Sequence, residues 1–157
     1  MTDHIDNSLK KRLVSLRNAA IEEYRTDFHP QRLLKTLCRN VDKILIDAWT
    51  ETGLSSEHVL IAVGGYGRGE LYPYSDIDVL ILLNRNPDSD LQQKLESLIQ
   101  TFWSLGLTIG HSVRTIDECL EESAHDITIQ TSLLEARYIT GSRRLFRQMK
   151  ERYDAQM

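Results

Sequence analysis

Two short apolar segments, joined by a glycine-rich stretch, constrain the fold of this chain most strongly. The first, 59–63, has the sequence VLIAV, and the second, 77–83, has the sequence IDVLILL. Short runs that are rich in β-branched residues and bounded by glycine or turn-forming residues are typical of buried strands. The stretch between them, GGYGRGELYPYSD, begins with glycines and ends with an acidic residue. We therefore expect two strands connected through a glycine-rich turn.

Helical periodicity dominates the sequence on either side of this unit. Apolar residues at three- and four-residue spacing predict helices over about 5–25, 31–51 and 88–104. The stretch from Asp27 to Pro30 separates the first helix from the second, and Gly53 is a stop signal for the second helix. The N-terminal region is therefore predicted to be a helical segment over residues 1–55.

The C-terminal half combines one further strand with more helix. A third strand is expected within 106–114, and Thr115 with Glu118 has the form of a capping box that opens a helix. Helical patterning is expected to continue beyond it, with apolar positions at Leu133, Leu134, Ala136 and Tyr138. After a break at Gly141, a last helix is expected over about 143–153. The pattern predicts an α+β fold: a small mixed sheet with flanking helices over residues 56–157, preceded by the helical segment.

Composition and charge narrow the class of protein. The chain has 157 residues, of which 41% are hydrophobic, enough for one domain with its own core. It contains no apolar run long enough to cross a bilayer and no signal-peptide pattern at its N-terminus, so we expect a cytoplasmic protein with no membrane partner. The net charge of −4 argues against a nucleic-acid partner. Cys38 and Cys119 lack metal-ligand spacing and are interpreted as small buried hydrophobic residues.

Two carboxylates mark the beginning of the second strand. Asp76 and Asp78 are separated by one residue, and side chains at positions i and i+2 of a strand project from the same face. Adjacent carboxylates repel each other unless a positive charge lies between them. Hard divalent cations prefer oxygen ligands, and Mg²⁺ is the usual one where phosphates bind. The pair is therefore predicted to bind Mg²⁺.

The glycines before these carboxylates indicate a phosphate site. Gly64 and Gly65 end the first strand, and glycine allows backbone N–H groups to approach a phosphate closely. Arg68 lies in the same turn and could reach phosphate oxygens. A phosphate cradle, a cation and a pair of metal-binding carboxylates are the parts that nucleotidyl transfer requires.

The segment GGYGRGELYPYSDID resembles the signature of the DNA polymerase β-like nucleotidyltransferase superfamily. More narrowly, GRGEL, YPYSDID, GHSVRT (110–115) and TSLLEAR (131–137) resemble the N-terminal domain of the bifunctional uridylyltransferase/uridylyl-removing enzymes. This resemblance implies a polymerase β-like fold and transfer of UMP from UTP to a tyrosine hydroxyl of the nitrogen-regulatory protein PII. It implies that Asp76 and Asp78 are the catalytic, Mg²⁺-binding residues. The implied nucleotide-binding residues are Gly64, Gly65, Arg68 and Ser75.

The resemblance also implies that the chain is the N-terminal piece of a longer protein, truncated at its C-terminal end. It leaves one catalytic position unassigned, because the superfamily usually has a third carboxylate on a later strand. The corresponding stretch 107–114 contains no acidic residue, and Thr108 lies where one is expected. His111 is interpreted as a hydrogen-bonded strand residue, and Asp117 and Asp126 as helix-start residues. No general base is assigned.

Two alternatives stay open at the level of sequence. One is another nucleotidyltransferase of the same superfamily, linked to sensor domains and using ATP or a different nucleotide. The other is a non-catalytic nucleotide-binding regulatory module, which the missing third carboxylate favours and the Asp76–Asp78 pair opposes.

Overall fold

The computed structural model describes residues 2–69, 71–72 and 75–156, with side chains from residue 8 onwards. A four-stranded sheet lies between helices. In chain order the elements are α1 (Thr2–Asp27), α2 (Pro30–Thr52), β1 (Val59–Val63), α3 (Gly64–Gly67), β2 (Ile77–Leu83), α4 (Ser89–Ser104), β3 (Ile109–Thr115), α5 (Ile116–Ser123), α6 (Ile127–Leu134), β4 (Arg137–Gly141) and α7 (Arg143–Gln156). The predicted α+β class, with a mixed sheet and an N-terminal helical segment, is confirmed.

The two N-terminal helices form a hairpin whose ends follow the predicted signals. Phe28, between them, has a φ of 57°, a conformation that ends α1 and redirects the chain into α2. Gly53 closes α2 with a φ of 78°, and its N–H donates to the carbonyl of Thr50. The buried side of α2 packs on the sheet through residues that include Leu37, Val41, Ile44, Leu45, Ala48 and Trp49.

The sheet has the strand order β3-β2-β1-β4. Both predicted strands of the opening unit, 59–63 and 77–83, are confirmed as β1 and β2, and they pair antiparallel. β4 also pairs antiparallel with β1, whereas β3 runs parallel to β2. The sheet is therefore mixed, and both β1 and β2 are paired along each edge.

Side chains from the two central strands are buried on both faces of the sheet. One face, which includes Leu60 and Ile81, packs against α1, α2 and α4. The opposite face, which includes Ile61 and Leu82, packs against α5, α6 and α7. A strand that is buried on both faces needs an almost continuous apolar sequence, which explains why β1 and β2 lack alternation.

Local capping signals account for two helix starts. Asp88 accepts the backbone N–H of Leu91 at 2.9 Å and so caps α4. The predicted capping box at the start of α5 is confirmed, with Thr115 and Glu118 bonding each other's backbone N–H groups. The third strand, β3, begins at Ile109 rather than 106, because Gly106 adopts a φ of 78° in the preceding turn.

The expected helix through Ala136 and Tyr138 is wrong. α6 ends at Leu134, and the chain then forms β4, with Ile61 of β1 opposite Tyr138. The apolar spacing from Leu133 to Tyr138 fits a helix when considered locally. Pairing with β1, whose residue Ile61 lies 77 positions before Tyr138 in the chain, overrides that local pattern.

Both cysteines are buried, as predicted, with 3% and 1% of the surface of Cys38 and Cys119 exposed. Burial raises the pKa of the Cys38 thiol to about 11 and that of Cys119 to about 12. Both therefore stay protonated at neutral pH. Among the helices of the described residues, none is long and apolar enough to span a membrane.

Leu98 of α4 has no exposed surface and lies in the core between α4 and the sheet. Leu98→Ala is expected to lower the free energy of unfolding by about 2–5 kcal/mol, because it removes buried methyl groups and leaves a cavity. Urea denaturation measures the change. Leu134→Ala is the matched control, because 62% of Leu134 is exposed, and it should stay within about 0.5 kcal/mol of the parent. Equal losses in the two variants would contradict this packing.

Candidate active site

The glycine-rich segment forms a short helical turn at the end of β1. Gly64 follows β1 with a φ of 61°, a conformation that glycine adopts without strain. The four residues Gly64–Gly67 make α3, which we call the glycine turn. The residue before the turn is Val63, whose side chain makes no capping hydrogen bond to the first N–H groups of the turn. Phosphate binding by this turn stays a prediction.

Arg68 lies over the glycine turn. A Cβ added to Gly65 would be 3.3 Å from its Nη2 atom, so glycine leaves room for the guanidinium there. The Nη1 atom of Arg68 donates to Oε1 of Glu135 at 2.9 Å, and 63% of the arginine side chain is exposed. The guanidinium is therefore held near the turn by Glu135 while remaining open to solvent.

The two candidate carboxylates lie at the start of β2, next to the glycine turn. Asp78 is paired with Val63, the last residue of β1, and a Cβ added to Gly64 would be 3.4 Å from Oδ2 of Asp78. Ile77, between the two acids, is fully buried, while Asp76 and Asp78 remain accessible to solvent. The strand register thus brings the carboxylate of Asp78 to the end of the preceding strand.

The charge of Asp76 affects the ionisation of Asp78. Partial burial, and then the negative charge of Asp76, raise the pKa of Asp78 above its ordinary value of 3.8. Both effects disfavour the ionised form when no cation is present. A cation at this position would relieve both.

Gly110 is a site residue that the sequence analysis missed. It lies opposite Asp78 in the parallel pairing of β2 with β3, and a Cβ on it would be 2.6 Å from Oδ1 of Asp78. The carboxylate therefore occupies the space that a side chain at position 110 would fill. The sequence contains one signal, a glycine in the middle of an otherwise strand-forming segment, which often marks a close approach.

Thr108, the position at which the resemblance leads one to expect a third carboxylate, precedes β3, and its carbonyl accepts the N–H of Ile77 at 2.9 Å. The residue across from Asp78 is Gly110, which has no side chain. Strand register, which the sequence does not give, decides this point.

A cleft of about 350 Å³ opens beside Asp78. It is enclosed by β2, β3 and α6, and its polar lining includes Asp78, His111, Ser112, Arg114, Asp126 and Ser132. Asp126 begins α6 as predicted, accepting the N–H of Thr128 at 2.8 Å, and it also lines this cleft. Asp117 lies in the first turn of α5, also as predicted, and pairs with Arg152 at 2.7 Å on the surface. Asp126 is therefore the acidic residue that the fold adds to the surroundings of Asp78.

His111, one of the residues that line this cleft, is exposed and makes an edge contact with the ring of Trp103, with 6.0 Å between ring centroids. Ser75 lines a separate hollow with Leu71 and Tyr72, on the side of α1 and α2. Three residues of the glycine-rich segment, Glu70, Pro73 and Tyr74, lie outside the described residues.

The donor set fits Mg²⁺. Mg²⁺ usually binds through one or two carboxylates together with substrate phosphates and water, rather than in a cage made only of protein ligands. Within the described ranges no group of three or more His, Cys, Asp or Glu residues is arranged to hold a metal. The Asp76–Asp78 pair beside the glycine turn matches the first pattern.

Comparison with known proteins agrees with this geometry. The family described as "Nucleotidyltransferase domain" matches residues 42–130, which is more than half of the chain. The chain therefore belongs to the nucleotidyltransferase domain family. The matched range begins within α2 and ends within α6, so it includes the glycine turn, both carboxylates and Asp126.

Curated relatives narrow the comparison to one kind of enzyme. The chain is 47% identical over 149 residues to the bifunctional uridylyltransferase/uridylyl-removing enzyme of Cupriavidus metallidurans. It is 46% identical to the enzyme of the same name from Bordetella avium over an equal length, and 47% identical to that of Burkholderia mallei over 133 residues. These alignments cover 95%, 95% and 85% of this chain, but only 17%, 17% and 16% of the relatives. The chain thus spans about one sixth of their length.

Asp78→Asn is expected to stabilise the metal-free fold at neutral pH. Because the folded-state pKa of Asp78 lies above its ordinary value of 3.8, the folded protein binds more protons between those two values. Its free energy of unfolding therefore falls as pH rises through that window, and the loss persists above it. Asparagine removes the ionisable group, so the gain should be present at pH 7 and disappear below the ordinary pKa.

Thermal unfolding in EDTA across this pH range measures the effect. Asp90→Asn is a suitable control, because Asp90 is exposed on α4 and pairs with Lys94, so this variant should show no gain. An Asp78→Asn variant that is less stable than the parent at pH 7 would contradict the expected sign.

Proposed function

We propose that this domain transfers UMP from UTP to a tyrosine hydroxyl of the nitrogen-regulatory protein PII, with release of pyrophosphate. The observation that supports it most is the carboxylate of Asp78 lying between Gly64 of the glycine turn and Gly110 of β3. Metal-binding oxygen atoms and a backbone turn open to phosphate are thereby adjacent. The choice of UTP and PII is supported by the names and the 46–47% identity of the relatives. A cytoplasmic location is part of the same proposal.

In this proposal each residue has a distinct role. The N–H groups of the glycine turn bind the triphosphate, and Arg68 adds positive charge against its oxygens. Asp76 and Asp78 hold Mg²⁺, which would neutralise charge on the phosphates and favour in-line attack by the acceptor hydroxyl. Ser75 is also proposed as a nucleotide contact, from the hollow that it lines with Leu71 and Tyr72.

The cleft beside Asp126 is a place where the acceptor hydroxyl could bind. Asp126 uses one carboxylate oxygen, Oδ1, to cap α6, which leaves Oδ2 free of that bond. Since the same carboxylate lines the cleft with Asp78, it is the nearby acid best situated to accept a proton from a hydroxyl that enters there. We propose it as the general base that the sequence left unassigned.

The first test is calorimetric titration with UTP, ATP, CTP and GTP, in Mg²⁺ and again in EDTA. The expected result is Mg²⁺-dependent binding that prefers UTP. The Asp76→Asn/Asp78→Asn double variant should lose it, because amide groups no longer supply the negative charge that holds the metal. Transfer of label from UTP to PII, and its dependence on the PII tyrosine, is measured next.

Each outcome separates the candidate functions. Binding that prefers ATP would favour a sensor-linked nucleotidyltransferase over the uridylyltransferase. Nucleotide binding without transfer to any acceptor would favour a regulatory module. Binding that survives in the double variant would refute the metal-binding role of the two acids.

Gly110→Ala is expected to lower UMP transfer by about 100-fold while leaving the fold intact. The added methyl group would overlap Oδ1 of Asp78, and that atom is the end of a mobile side chain, so the carboxylate can turn away without moving the backbone. A displacement of about 1 Å in a catalytic group can cost this much in rate. Thr108→Ala, just before β3, is the control. Full activity in Gly110→Ala, with unchanged thermal stability, would count against the role of Asp78.

A further inference from the structure

Arg137, at the start of β4, makes polar contacts with two elements distant in sequence. Its Nη1 atom donates to Oδ2 of Asp42 at 2.7 Å, and its Nη2 atom donates to Oδ1 of Asp42 at 3.2 Å. Nη2 also lies 3.1 Å from the carbonyl oxygen of Tyr66 and 3.1 Å from Sγ of Cys38. We call these four residues the Arg137 network. It ties β4 to α2 and to the glycine turn.

Tyr66, the third residue of the glycine turn, is held by this network at both ends. Its backbone carbonyl accepts from Arg137, and its phenol donates to Oδ1 of Asp42. The ring is 1% exposed and faces the guanidinium, with 5.1 Å between the Cζ atom of Arg137 and the ring centroid. Burial, and then the charge of Asp42, raise the pKa of Tyr66 well above its ordinary value, so the phenol remains a donor.

Neighbouring contacts confine the rest of the turn. A Cβ added to Gly67 would lie 2.1 Å from the carbonyl oxygen of Glu135 and 3.0 Å from that of Ala62. The backbone of residues 135–137 therefore packs closely against the turn, and the side chain of Arg137 donates a hydrogen bond to it. These residues belong to the TSLLEAR segment, which the proposed chemistry does not otherwise use.

We propose that Arg137 is a positioning residue that, through Tyr66 and Asp42, holds the glycine turn against Asp78 in the orientation that binds the nucleotide triphosphate. The inference rests on the proposed function. Arg137 does not line the cleft beside Asp78, so it acts through the turn rather than on the substrate.

Arginine suits this role because of its geometry. A planar guanidinium donates in several fixed directions, and here it serves a carboxylate and a backbone carbonyl together. Lysine keeps the positive charge but carries its donors on one nitrogen, so it can pair with Asp42 while losing the hydrogen bond to the carbonyl of Tyr66. Removing the charge altogether would leave the partly buried Asp42 without its cationic partner and threaten folding.

The test compares Arg137→Lys with Arg12→Lys. Arg12 also pairs with an aspartate, Asp47 at 2.6 Å, but on the surface between α1 and α2. Two properties are measured on the whole chain: amide hydrogen exchange over 64–68 without nucleotide, and the kinetics (KM and kcat) of transfer from Mg·UTP to PII. Tyr66→Phe, which removes only the phenol bond to Asp42, is a second variant of smaller expected effect.

Arg137→Lys is expected to exchange the amides of the turn faster and to raise KM for Mg·UTP about tenfold, the size expected when hydrogen bonds to a charged group are lost. Arg12→Lys should change neither quantity. A purely structural role predicts the opposite split, in which kcat falls with the folded fraction and KM stays constant. That split, or unchanged exchange in the turn, would overturn the proposal.

The wild-type protein separates this proposal from the one on which it rests. If wild type binds no Mg·UTP, the proposed function fails, and with it any nucleotide role for Arg137. If wild type binds Mg·UTP and Arg137→Lys behaves as Arg12→Lys does, only the positioning role is refuted.

Discussion

The antiparallel pairing of β1 with β2 is the interaction on which the candidate site depends. Its register sets Val63 opposite Asp78, so the chain that leaves β1 turns directly over the carboxylate at the start of β2. Both strands are buried on two faces, and a slip of one residue would bury Asp78 and expose Ile77. The same packing that stabilises the sheet therefore fixes the distance between the glycine turn and the acids.

Glycine and charge serve complementary purposes around Asp78. Gly64 allows the turn to begin with a positive φ, while Gly110 leaves the space that the carboxylate fills. This arrangement has an electrostatic cost, because burial of the carboxylate and then the charge of Asp76 raise the pKa of Asp78 and disfavour its ionised form when no cation is bound. A bound divalent cation would reverse this balance, as the proposed metal-binding role of the two acids requires.

The connection from α6 to β4 links the candidate site to the rest of the fold. Asp126 begins α6 at the cleft, Glu135 reaches Arg68, and Arg137 bonds Tyr66 and Asp42. A stretch that resembles an ordinary amphipathic helix in sequence thus contacts the glycine turn on several sides. Because β4 pairs with β1, the residues that make these contacts are held beside the central strand that leads into the turn.

The sequence by itself determined β1, β2, the glycine turn, the helix caps and the Asp76–Asp78 pair, because each depends on residues close together in the chain. Only the tertiary structure decided the remainder. It placed β4 where a helix around Tyr138 was expected, set Gly110 across from Asp78, and brought Asp126 to the cleft. Strand register and packing between distant segments control these positions, and local periodicity contains no information about either.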